Sequence, residues 1–142
     1  MKNVAIATQA NGLPTVTPLE ERDQALVALA RDCGLSAEQI ARLDIASVDL
    51  DGDVVQVTRG SGSVRELPVA PAALRPVARY LEHARGVLAG AAPDEPEPAA
   101  LFLSKTGRRM AGSDVRRRLA SFYTRIESAR VRAAYLRSHP RA

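Results

Sequence analysis

The chain has 142 residues, 46% of them hydrophobic and 25% charged, with a formal net charge of +4; this is one domain's worth of globular sequence and not a disordered tract. No apolar run approaches the ~20 residues that a membrane span needs. The opening stretch, MKNVAIATQANGLPTV, lacks the apolar core and cleavage site of a secretory signal, so a cytoplasmic, nucleoid-associated location is expected. A single cysteine, Cys33, excludes an internal disulfide and a cysteine-based zinc site, and no metal or other cofactor is expected.

Residues 1–17 read as a flexible polar lead-in. A helix follows over roughly 18–32, with Pro18 in its first turn and Glu20 and Glu21 at the positive end of its dipole. Leu26, Val27, Leu29 and Ala30 form its apolar face, Cys33 is expected as a core thiol at the end of that face, and Gly34 stops the helix. Ser36 caps a second, short helix, with Gln39 three residues on as in a capping box and with Ile40 and Leu43 turned to the core.

Three β-rich apolar runs come next, from Asp44 to Pro71. Asp51-Gly52 turns between the first two, and Gly60-Ser61-Gly62-Ser63 between the second and third, which predicts a small antiparallel three-stranded sheet. Pro71 opens a long helix to about residue 90, with Leu74, Val77, Leu81 and Val87 on one side. AGAAPDEPEPAA reads as a loop. Leu101-Phe102-Leu103 is expected to be a short buried segment, and SKTGRRMAG a basic loop. Ser113 is expected to cap a last helix from about 114 to 137, with Val115, Leu119, Phe122 and Ile126 at the four-three-four spacing of one stripe and Arg116, Arg117, Arg118 and Arg125 off it. The fold class expected is α+β, mainly helical, with the domain spanning residues 18–142.

Charge is unevenly spread. From Lys105 to the end there are 11 basic residues against two acids, a net +9, while the rest carries 9 against 14, a net −5. Such a separation points to a polyanionic partner for the basic end.

These pieces in this order resemble the catalytic domain of the Xer-type tyrosine recombinases of the phage-integrase family. RDQALVALARDCGLSAEQIARLDIASVDLDGDVVQV resembles the opening of that domain, GSGSVRELPV its β-hairpin, YLEHARGVL and LFLSKTGRRMAGSDVRRRL the stretches that follow, and FYTRIESARVRAAYLRSHPRA its extreme C-terminus. The resemblance implies DNA recombination or integration, in which a tyrosine attacks a phosphodiester, cations stabilise the charge that develops there, and a general acid serves the leaving hydroxyl.

Carried over by position, the resemblance puts the nucleophile at Tyr123. It also marks two departures. Ser36 stands where the family has an arginine after Gly34-Leu35, and Ser61 stands where it has the hairpin lysine. The histidine–arginine box and the helices around it have no counterpart between Ala120 and Ser121. His83 and His139 lie in unrelated contexts, and no N-terminal DNA-clamping domain is expected before residue 18. The reading is therefore of a truncated, degenerate catalytic domain that binds double-stranded DNA without cutting it alone. Arg59, Arg65, Lys105, Arg108, Arg109, Arg116, Arg117 and Arg118 are the expected phosphate contacts. Three alternatives stand beside it: a module that pairs with an intact recombinase through the C-terminal helix, a residual recombinase that donates Tyr123 in trans, and a deletion remnant. Self-association as a dimer is also expected, because apolar faces would otherwise stay uncovered.

Overall fold

The computed structural model describes residues 16–92 and 99–138, with side chains through residue 134. The expected lead-in up to residue 15, the middle of the Pro/Ala/acid loop and His139 lie outside these residues.

Helix α1 (Pro18–Cys33) begins with a reciprocal cap. The Glu20 N–H donates to Thr17 Oγ1 at 3.1 Å and the Thr17 N–H to Glu20 Oε1 at 2.9 Å. It ends at Gly34, whose φ of +68° is the left-handed conformation that a residue without Cβ adopts freely. Helix α2 (Ala37–Arg42) starts on the expected box: the Gln39 N–H donates to Ser36 Oγ at 3.1 Å and the Ser36 N–H to Gln39 Oε1 at 2.9 Å. Cys33 is only half-buried, because it sits on the last turn of α1 beside a surface notch.

A short 3-10 turn, Ile45–Ser47, leads into the sheet. Strands β1 (Val48–Asp49), β2 (Val54–Thr58) and β3 (Val64–Pro68) are antiparallel in the order β1-β2-β3, with Val48 opposite Val55 and Val57 opposite Arg65. Val55 and Val57 are buried while Gln56 and Thr58, alternating with them, are exposed, as for a sheet with one covered face. In the β1–β2 turn it is Asp53, not Gly52, that takes the positive φ, at 55°; Asp tolerates this region better than most side chains. Gly52 is held instead by its N–H on Asp49 Oδ1 at 2.9 Å.

The long helix is composite: α3 (Pro71–Arg79), a π-helical turn (Tyr80–Ala84) and α4 (Arg85–Ala89). The π turn follows the interior Pro76, which has no N–H to offer the ladder. The Ala84 N–H is met from α1 by Glu21 Oε1 at 3.1 Å. The covered side runs through Leu74, Val77, Tyr80, Ala84 and Leu88, and Val87, expected on it, is 62% exposed; Leu88 occupies the core position one residue on.

Leu101-Phe102-Leu103 runs through the centre of the core, each residue at most 1% exposed. Its backbone is received on several sides: the Leu101 N–H donates to the Leu43 carbonyl at 2.9 Å, and the Met110 N–H to the Phe102 carbonyl at 3.1 Å. Tyr80 stacks on Phe102 with ring centroids 5.2 Å apart. Helix α5 (Gly112–Ser138) starts before the expected cap, so Ser113 lies inside its first turn. The lack of a Cβ at Gly112 lets α5 approach Glu38 of α2 closely, since a Cβ there would meet the Glu38 side chain at 3.3 Å.

Candidate nucleic-acid interface

Two groups of cations flank α2. The first surrounds a notch of about 140 Å³ between the α1–α2 turn and the hairpin, lined by Cys33, Gly34, Leu35, Gln39, Val57, Arg59, Arg65 and Leu67. Two guanidinium groups and one carboxamide face it, and none of its lining residues is a carboxylate. Gln39 spends its Oε1 on the Ser36 cap, which leaves its amide NH₂ as a donor. Burial, with a smaller push from Asp32, raises the Cys33 thiol above its ordinary pKa, so the thiol form dominates in the notch. Ser36 is consumed by the α2 cap, and Ser61 shares a hydrogen bond of 3.0 Å with Ser63 in the hairpin turn.

The second group lies on the loop before α5 and on its first turns. Residues 104–108 form a tight turn, with the Gly107 N–H on the Ser104 carbonyl at 2.9 Å and the Ser104 N–H on the Arg108 carbonyl at 2.7 Å. This turn presents Lys105 and Arg108 to solvent. Arg109 points back into the protein, donating from Nη1 to the Ala41 carbonyl at 2.9 Å and the Leu43 carbonyl at 3.2 Å, and pairing through Nη2 with Asp44. Its guanidinium ties the loop to the end of α2.

The three consecutive arginines of α5 diverge. Arg116 pairs with Glu38 of α2, Arg117 with Asp114 on its own helix at 3.0 Å, and Arg118 with Asp23 of α1, Nε to Oδ2 at 3.1 Å. Asp23 also holds the buried Arg22 at 2.8 Å, and Arg22 donates to the Leu103 carbonyl at 3.2 Å. Arg118 is thus part of a network reaching the core. The Arg116 and Arg117 pairs are exposed and of the kind worth about 0–1 kcal/mol, so a phosphate can replace the carboxylate.

Tyr123 is 44% exposed on α5, with its ring edge-on to Phe122 at 5.8 Å. It does not line the notch. His83 is exposed on the π turn, 3.8 Å from Glu21. Among the described residues, no group of three or more His, Cys, Asp or Glu side chains could hold a metal, and no helix is long and apolar enough to cross a membrane. The point between Ala120 and Ser121 lies within uninterrupted α5. Sequence reasoning missed Gln39 and Cys33 as lining residues. Their only signal was their place on either side of the Gly34 turn.

A mainly helical domain with a three-stranded antiparallel sheet, a cation-lined notch at the hairpin and an arginine-rich final helix defines the class. The chain belongs to the phage integrase family, whose pattern matches residues 4–140. It is 37% identical over 108 residues to the tyrosine recombinase XerC of Alcanivorax borkumensis, a match covering 76% of this chain and 34% of that protein. It is 32% identical over 105 residues to XerC of Salmonella typhi, covering 74% and 33%. The crystal structure of XerA recombinase shares the fold, with a TM-score of 0.59 at 23% identity over 71% of this chain and 34% of that one. The chain therefore spans about a third of the length of the relatives it matches.

Proposed function

We propose that this protein binds duplex DNA through its backbone phosphates, in the context of DNA recombination or integration, and does not cut DNA by itself. The observation that carries this reading is the set of exposed cations on either side of α2: Arg59 and Arg65 at the hairpin, and Lys105, Arg108, Arg116 and Arg117 at the loop and the root of α5. Family membership supports DNA as the partner. Arg109 and Arg118 support the framework that holds these cations. The absence of cutting follows from chemistry. Ser36 and Ser61 stand where two transition-state cations are needed, and losing even one such donor costs about 3–4 kcal/mol. The flanking Arg59 and Arg65 do not replace the hairpin lysine as an acid, because arginine stays protonated up to about pH 12.

Six phosphate contacts give a log–log salt slope of about −5 for duplex DNA of arbitrary sequence. A slope near zero rejects the reading. The same assay on a nicked suicide substrate tests cleavage: no covalent protein–DNA adduct is expected, and an adduct lost on Tyr123→Phe overturns the non-cutting half. The exposed ring of Tyr123 favours donation in trans as a second reading, which the same substrate tests with an intact recombinase added.

A further inference from the structure

Helix α2 has six residues, about 9 Å of helix, too few to hold its shape unaided. It is clamped at both ends by the segment that carries the second group of cations. In its first turn Glu38 pairs with Arg116 of α5, which the bare Gly112 lets come close. At its other end Arg109 gathers three acceptors, the Ala41 and Leu43 carbonyls on Nη1 and the Asp44 carboxylate on Nη2. A helix end leaves its last carbonyls without intrahelical partners, and here a side chain from 66 to 68 residues away supplies them.

The two clamps are unequal. Arg116 and Glu38 form a single exposed pair. The planar fork of Arg109 spans two backbone carbonyls and a carboxylate, a pattern that the single ammonium of lysine does not reproduce. Arg109 also stands at the neck of the basic turn. Its backbone bridges Leu103 across that neck, and Lys105 and Arg108 lie on the turn so closed. The Met110 N–H, bound to the Phe102 carbonyl at 3.1 Å, fixes the next residue to the core segment. The opposite end of α2 carries Gln39 and borders the notch of Arg59 and Arg65. Helix α2 is therefore the spacer between the two groups of cations, and Arg109 is the side chain that fixes the turn to it.

We propose that Arg109 is a positioning residue. It makes no phosphate contact of its own. Through α2 it sets Lys105 and Arg108 where a duplex lying on Arg59 and Arg65 also meets them. This inference rests on the DNA reading above. It replaces the phosphate contact expected for Arg109 from the sequence, because the guanidinium is already engaged on three acceptors of the protein.

Arg109→Lys keeps the charge and loses the fork, so it separates position from charge. Duplex binding over a salt series is expected to weaken about tenfold at low salt, and the slope to fall from about −5 to about −3 as the two turn cations drop out. In a Lys105→Ala/Arg108→Ala background, which already has the shallower slope, Arg109→Lys is expected to change neither affinity nor slope. Trypsin should also cut the native chain after Lys105 or Arg108 faster in Arg109→Lys than in the parent. Asp44→Asn, which spares both carbonyl bonds, carries the same test if Arg109→Lys does not fold, with a slope between those of the parent and the turn variant. A parental slope in the folded variant overturns the positioning role and leaves the DNA reading intact. So does a loss of equal size in both backgrounds, which would mark Arg109 as a support of the fold alone. A parent slope near zero removes the DNA reading and this inference together.

Discussion

The Tyr80 hydroxyl donates to the Leu101 carbonyl at 2.8 Å, and the same oxygen accepts the Leu103 N–H at 3.0 Å. One side chain from the π turn thus satisfies two backbone groups of the central segment in a place that water does not reach. Tyr80→Phe keeps the stacking on Phe102 but orphans both groups, at an expected cost of about 1–3 kcal/mol in urea unfolding. A change within experimental error would mean that these bonds are replaced.

The same residue makes alkaline stability predictable. Burial pushes the Tyr80 phenol up to about 12, against smaller opposing pulls from the Leu103 N–H, Arg85 and Arg22. The folded value lies above the unfolded one of about 10, so the folded state binds more protons in that interval. The contribution is complete below about pH 10 and is lost as pH rises toward 12, amounting to about 3 kcal/mol. Tyr80→Phe should show a shallower fall in stability over this window than the parent chain, and parallel curves would refute the assignment.

Gly107 sits at φ +84°, where an added Cβ would come 2.7 Å from the Leu88 carbonyl oxygen. Gly107→Ala combines left-handed strain with a backbone clash and is expected to cost about 2–4 kcal/mol. Gly62, also at positive φ (92°) but with nothing within 4 Å, separates the two effects: Gly62→Ala should cost only about 1–2 kcal/mol. Equal losses at the two sites would show that contact with α4 is unimportant.

Asp23 serves two guanidinium groups at once, the buried Arg22 and the half-exposed Arg118. Asp23→Asn leaves Arg22 in the interior without its counter-charge and is expected to cost about 3 kcal/mol. Arg118→Ala breaks a more solvated pair, and a loss of about 1 kcal/mol is expected. Denaturant titration of both variants checks the ranking, and the reverse order would place the network's weight on α5.

If DNA phosphates reach the hairpin, Arg59→Ala/Arg65→Ala should reduce the magnitude of the salt slope by about 2. Binding should weaken to a similar degree for unrelated DNA sequences, because phosphate contacts carry no base information. An unchanged slope would confine DNA to the loop and α5.

Features that depend on near neighbours in the chain are legible in the sequence. Pro18 at the head of α1, Gly34 at its end, the Ser36–Gln39 box, both hairpin turns and the buried Leu101-Phe102-Leu103 are all decided within four or five residues, by dihedral preference, local hydrogen bonding or an apolar run. The stripe on the last helix was legible for the same reason, and so was the excess of arginine around it. Composition and order also carried the family, since Ser36, Ser61 and Tyr123 have meaning only against its pattern.

The tasks of individual charged residues depended on partners far along the chain. Nothing near Arg109 announces that its guanidinium will cap the end of α2, and nothing near Arg22 announces its bond to Leu103. Similar-looking arginines on α5 became a framework strut in Arg118 and an exposed cation in Arg117 because α1 stands beside one and solvent beside the other. The sequence by itself determined the elements, the family and the excess of positive charge, all of which follow from local preference and composition. Only the tertiary structure decided which of those charges are spent inside the protein, because an ion pair exists only where packing brings its two ends together.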